Sequence, residues 1–148
     1  MSLSKKEEVV RYILERTGNI PKTKLVKLLF LADRKFSKEN EGNSNITGFR
    51  YIRYFYGPYT SEIEDVIGSL SIKGLIRYFR HITLSGNEAY LIGKSDKEVS
   101  FKHLNEDEKK ALDEIVENFG NKSLSEILDE VYSFDEVEKA GFGEEITI

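Results

Sequence analysis

The sequence predicts a mainly helical α+β fold: a single compact helical domain with one small β-hairpin, winged-helix-like in part. Three observations carry this. Five segments repeat apolar residues at three- and four-residue spacing, each opened by a cap-forming residue or a proline. One stretch, 75–92, instead reads as two β-rich runs around Ser85-Gly86-Asn87. A length of 148 residues with 39% hydrophobic content suits one core of ordinary size.

Ser4-Lys5-Lys6-Glu7 has capping-box spacing, and Val9, Val10, Ile13 and Leu14 follow at helical intervals. The two side chains of such a box each satisfy a backbone N–H at the helix start, so a first helix is expected over 5–16, stopped near Gly18. Pro21 suits the first turn of a second helix, where its missing N–H would have been unpaired anyway. Leu25, Leu28, Leu29, Ala32 and Phe36 form its core stripe, and Phe30 and Leu31 extend the apolar surface round most of the circumference. Such a helix is expected at the centre of the domain. Residues 39–47, rich in Asn, Gly and Ser, read as a loop. Residues 49–56 are ambiguous: their β-branched and aromatic content favours an extended segment, while Phe49, Ile52 and Tyr56 would also line one helical face. Gly57-Pro58 ends either form and is expected as a rigid turn leading to the third helix.

Ser61-Glu62-Ile63-Glu64 has capping-box spacing and opens that third helix, which buries Ile63, Val66, Ile67 and Leu70 and is capped by Gly74. The hairpin follows at once, the profile of a winged-helix half. Residues 95–103 read as a polar linker. Asn105 with Glu108, and Ser123 with Glu126, repeat the cap. They open a fourth helix burying Leu112, Ile115, Val116 and Phe119, and a fifth burying Leu124, Ile127, Leu128 and Val131. Residues 134–148 read as a short helix and a tail. The expected organisation is one domain over 1–148: a helical body over about 4–74, a hairpin over about 75–92 and acidic helices over about 104–140.

The net charge of −4 is unevenly spread: residues 1–102 hold 18 Lys/Arg against 12 Asp/Glu, and residues 103–148 hold 4 against 14. An acidic segment after a basic body points to internal docking, to a bipartite partner surface or to solvated helix faces. The absence of cysteine excludes disulfides, thiol nucleophiles and thiolate metal ligands. His81 and His103 lie far apart in different elements, short of the three or four ligands a zinc site needs, so no metal is expected. Neither a Gly-rich phosphate cradle nor a nucleophile elbow occurs. Carboxylate pairs such as Glu62/Asp65 and Asp113/Glu117 lie on polar helix faces, whereas a catalytic acid needs a partly buried setting. Asp33, at the exit of the apolar helix, is expected to pair with a basic group or to cap a neighbouring backbone segment. No catalytic residue and no cofactor is expected. No stretch approaches the ~20 apolar residues of a membrane span, and without an apolar leader the expected location is cytoplasmic.

Two features could serve a macromolecular partner. Lys24, Lys27, Arg34 and Lys38 fall along one stripe of the second helix, and Arg77, Arg80 and His81 lie on the first hairpin strand, where basic residues can touch phosphates. Yet the third helix, the natural groove reader, opens with Glu62, Glu64 and Asp65, the wrong sign for nucleic acid. Phe49, Tyr51, Tyr54, Phe55, Tyr56 and Tyr59, with Arg50 and Arg53, combine rings with guanidinium groups. That composition suits stacked RNA bases, a protein hot spot or, for about half the rings, the core.

The order of several motifs is distinctive: Lys27-Leu28-Leu29-Phe30-Leu31-Ala32-Asp33, then Gly42, then Ile46-Thr47-Gly48, then Tyr56-Gly57-Pro58. This order resembles the Panacea domain of SocA-like antitoxins, over roughly residues 8–146. Lys73-Gly74-Leu75-Ile76 and the closing Ala140-Gly141-Phe142-Gly143-Glu144-Glu145-Ile146 are similar to later parts of that family. The resemblance implies a protein-binding domain without catalytic activity or cofactor, which neutralises a toxin, encoded by an adjacent gene, through direct contact; the family is also phage-associated. It makes Lys27, Leu28, Leu29, Ala32, Asp33, Gly48, Tyr56, Gly57 and Pro58 scaffold residues. Where many members carry a late His-containing segment, this chain has Val131-Tyr132-Ser133-Phe134. Partner choice must then lie in exposed residues, the candidates being Arg50, Arg53, Tyr54 and Tyr59 near the turn and Arg77 and Arg80 on the hairpin. The alternative is a winged-helix-like DNA-binding regulator; an enzyme would need a cleft containing an acid or His with a strongly displaced pKa.

Overall fold

The computed structural model describes residues 2–42 and 44–148. At its centre lies α2 (Lys22–Glu39), in which Leu25 through Asp33 are all buried. Helices α1 (Lys5–Thr17), α4 (Glu106–Phe119) and α5 (Leu124–Tyr132) pack against it, and α3 (Glu62–Ile72) packs on α1. A short α6 (Asp135–Lys139) follows α5. Val116, Phe119, Leu124 and Leu128 come out half-buried rather than buried, because α4 and α5 form the outer layer.

The boxes at Ser4, Asn105 and Ser123 form as expected, each side chain accepting from the backbone three residues on. The one expected at Ser61 does not: its backbone is already helical and its side chain caps nothing. Glu64 is drawn off by Lys22 and by the Tyr59 hydroxyl, so it cannot reach back. Thr60 substitutes, its Oγ1 accepting from the Glu62 N–H at 3.3 Å. Gly74 ends α3 at φ +70°, as expected of a left-handed cap, with the Leu75 N–H returning to the Leu70 carbonyl at 2.9 Å.

Strands β1 (Ile20–Pro21), β4 (Ile76–Ile82) and β5 (Glu88–Lys94) form an antiparallel sheet in the order β1-β5-β4, with Ile20 and Tyr78 both opposite Ile92. This completes the winged-helix half. Pro21 belongs to β1 and precedes α2 as its N-cap, rather than occupying the first turn. Between α2 and α3 a second sheet is inserted, β2 (Tyr51–Tyr54) with β3 (Gly57–Tyr59), joined on its other side by β6 (Glu145–Ile146). Of the ambiguous residues 49–56, Tyr51–Tyr54 are therefore strand and no helix forms. Gly57-Pro58 is not the turn; Phe55-Tyr56 is, and Pro58 sits opposite Arg53 in an edge strand, where its missing N–H is tolerated. The C-terminal tail is not loose, because Ile146 is buried opposite Tyr51.

Internal docking is the outcome for the acidic segment. Lys5–Glu108, Arg16–Asp113, Lys35–Glu114, Arg34–Glu136 and Arg50–Glu145 all pair body with tail. Residues 95–103 are pinned too. Arg11, buried at 1% exposure, donates to the carbonyls of Leu75 and Lys97.

Candidate partner-binding site

The site begins with a buried charge that positions it. Asp33, with no exposed surface, accepts from the N–H groups of Ile46 (2.9 Å) and Thr47 (3.0 Å), from Thr47 Oγ1 (2.5 Å) and from the Tyr51 hydroxyl (2.6 Å). Burial pushes its carboxyl up to about 6 against these donors. The same burial, with Asp33 beside it, drives the Tyr51 phenol well above its ordinary range, so it stays a donor. Asp33 thus ties the 46–48 loop and the first residue of β2 to α2, the backbone-capping role its position suggested. Gly48, at φ +77°, turns the chain out of that loop.

With Tyr51 held inward against Phe30 at 5.1 Å, β2 runs out toward the surface and the Phe55-Tyr56 turn projects. Tyr54 (43% exposed), Phe55 (70%), Tyr56 (63%) and Phe142 (61%) form an open aromatic patch. Phe142 stacks on Tyr54 at 5.4 Å and meets Phe55 at 4.9 Å. Tyr59 stacks on Tyr54 at 5.9 Å and donates to Glu64 at 2.8 Å, and burial with that carboxylate pushes its hydroxyl up to about 12.

Under this patch lies a cleft of about 190 Å³, lined by Lys22, Thr23, Lys27, Tyr54, Phe55, Tyr56 and Tyr59. Lys27 is only 2% exposed, and burial lowers its ammonium to about 8. Among the described residues its Nζ has no hydrogen-bond or ion-pair partner and lies over no ring face, whereas Lys22 is bonded to Glu64. Gly57 lets the lysine stem pass: a Cβ there would stand 3.7 Å from Lys27 Cε and 3.4 Å from Leu128 Cδ2, and its φ is +82°. A wider, shallower cleft of about 600 Å³ shares Lys22 and Thr23 and runs on to Tyr78 and Tyr90 of the hairpin.

The six residues expected to face a partner are not brought together. Tyr54 stands in the patch and Tyr59 at its half-buried edge. Arg50 is exposed but paired with Glu145. Arg53 is turned inward, donating to the carbonyls of Val137, Glu138 and Ala140, the nearest at 2.8 Å, so it ties down the end of α6. Arg77 and Arg80, three apart on β4, fall on opposite faces of the hairpin, and Arg77 reaches Asp96 at 3.9 Å. Of the scaffold set, Leu28, Leu29, Ala32 and Asp33 are buried, but Tyr56 is exposed, because it is a turn residue and not the strand residue before one.

The basic stripe on α2 is dispersed as well. Lys24 donates to the Gly120 carbonyl at 2.6 Å, Arg34 bonds to Glu136 and Lys27 is buried, while Lys38 stays exposed. His103 bonds to the buried Glu8, and His81 lies on the hairpin. No group of three or more carboxylate and His side chains placed to hold a metal occurs among the described residues. Lys27 and Phe55 stand in the two features that sequence reasoning set out for a partner but not among its six candidates, and Phe142 was given no surface role. A signal existed for Lys27: it stands inside the run 25–32, whose other residues are all apolar.

The family model described as antitoxin SocA-like, Panacea domain, matches residues 25–136, well over half the chain. No curated protein and no solved structure matches it.

Proposed function

The chain belongs to the SocA-like antitoxin family of Panacea domains, and on that premise we propose that it is a non-catalytic domain that neutralises a toxin protein by direct contact. The observation that carries this reading is the open aromatic patch of Tyr54, Phe55, Tyr56 and Phe142. Contiguous exposed rings are unfavourable in water, and aromatic side chains dominate the energetic centres of protein interfaces. The deeply buried carboxylates support a non-catalytic role. Asp33 is saturated by four donors and Glu7 is bonded to Lys73. No helix among the described residues is long and apolar enough to cross a membrane, and the proposed site of action is the cytoplasm.

Co-expression with the product of the adjacent gene tests the proposal. The intact chain should form a stable complex and relieve growth arrest, and the pair Phe55→Ser with Phe142→Ser should lose relief while staying folded. A harmless neighbour that forms no complex would sink the antitoxin role.

A second reading, DNA binding, is favoured by one observation, the winged-helix sheet order β1-β5-β4. Against it, α3 opens with Glu62, Glu64 and Asp65, and most basic residues of α2 are engaged within the domain. Phosphate attraction is strongest at low ionic strength. A gel shift of upstream duplex at low salt that weakens as salt rises would favour this reading; none at low salt would end it.

A further inference from the structure

An unpaired ammonium under a lid of aromatic rings is a costly thing for a fold to keep. Lys27 is 2% exposed as a residue and its Nζ is not sealed from solvent, yet no hydrogen bond, ion pair or ring face among the described residues compensates its charge. Buried charges are ordinarily paired or neutralised. The neighbouring cation, Lys22, is already spent on Glu64, and the Tyr59 hydroxyl is turned to the same acid. The cleft is therefore left with one positive charge and walls made mainly of Tyr54, Phe55, Tyr56 and Tyr59.

We propose that this cleft receives a carboxylate carried by a partner polypeptide, with the Lys27 ammonium as its counter-ion and the aromatic rings as its apolar walls. The inference rests on the protein-binding reading above and names the chemistry of the anchor that reading requires. Size supports a side chain rather than a cofactor: about 190 Å³ falls below the ~300–1,000 Å³ of small-molecule sites and suits one inserted residue. Charge supports a carboxylate over a phosphate. One ammonium balances a single negative charge, and a phosphate near −2 would bring into an apolar cup a second charge with no partner. Position supports an interface, because the mouth of the cleft is the most exposed part of the aromatic patch, Phe55 and Tyr56. A carboxylate ringed by buried apolar contacts is the arrangement of an interface anchor, in which the surrounding rings exclude water and strengthen the central ionic hydrogen bond.

The test is an NMR titration of the full chain with four probes. They are N-acetyl-Gly-Phe with a free carboxylate, the same peptide as its C-terminal amide, N-acetyl-Glu-N-methylamide, and phenyl phosphate. The amides of 54–59 and the Lys27 side chain report the site. A carboxylate probe should bind there ~10–100-fold more tightly than the amide, the range expected of a charge-assisted hydrogen bond. Lys27→Met, which keeps the stem's shape without the charge, should abolish that preference. Comparing the first and third probes tells a chain terminus from an acidic side chain. Equal binding of amide and carboxylate, a preference that survives Lys27→Met, tighter binding of phenyl phosphate, or no binding at 54–59 would each overturn the inference. The neutralisation assay stands apart from this titration. Relief of toxicity by a chain that ignores every carboxylate probe would remove the anchor and leave the protein-binding reading intact.

Discussion

Replacing Lys27 by Met should make this domain more stable, and the size of the gain follows from where the ammonium sits. In the unfolded chain the group holds its proton up to its ordinary value of 10.5; in the folded chain burial lowers that to about 8. Between those values the unfolded state binds the extra proton, so stability rises with pH across that interval. Below about pH 8 the folded protein carries the whole cost of a charged, unpaired ammonium. At about 1.4 kcal/mol per pH unit, the gap corresponds to ~3 kcal/mol. Titratable neighbours lining the cleft are Lys22, Tyr54, Tyr56 and Tyr59, and all remain in the variant, so the difference between the two proteins isolates Lys27. At pH 7, urea denaturation should show Lys27→Met more stable by ~3 kcal/mol, a rise in melting temperature of roughly 5–12 °C for a domain of this size. The difference should shrink toward zero as pH climbs from about 8 to 10.5. A variant less stable than the parent at pH 7, or a difference that ignores pH, would refute the reasoning and mean that the ammonium is compensated.

Asp33→Ala strands four buried donors, and a loss of ~3–5 kcal/mol is expected in the same denaturation assay, with amide exchange rising first at Ile46 and Thr47. Glu7, held by Lys73, Ser69 and Ser4, behaves oppositely to a raised acid. Burial works against its charge, but these bonds win and lower it from 4.5 to about 2, so the stability it contributes is complete above pH 4.5 and lost as pH falls toward 2. Glu7→Gln should therefore cost ~2–3 kcal/mol at neutral pH and little near pH 2, as read by acid titration of both proteins followed by circular dichroism.

Much of the architecture was legible in the chain, for local reasons. Ser4, Asn105 and Ser123 capped their helices because both partners of each box lie within one turn, so the bonds close locally even where Lys73 also reaches Glu7 and Lys5 also reaches Glu108. The apolar circumference of 25–33 announced the central helix, since no position on it could face water. The Ser61 box failed because Glu64 had better partners, Lys22 and Tyr59, brought by other elements. Gly57-Pro58 was misread as a turn because the sequence does not show that 51–54 would pair with 57–59 and place Pro58 at a sheet edge. The acceptors of Arg53 lie 84 to 87 residues away, out of reach of any spacing rule.

The candidate site divides in the same way. Its ingredients, the aromatic run 54–59 and a lysine flanked by apolar residues, stand in separate motifs of the sequence. Their juxtaposition does not. Phe142 joins the patch only because β6 returns alongside β2, and the Lys27 stem is covered only because β3 and α5 close over it. Local hydrogen bonding and periodic burial are encoded within a few residues and can be read from them. The cost of a buried charge, and what could relieve it, is a property of every group that surrounds it, and those groups assemble only when the chain folds.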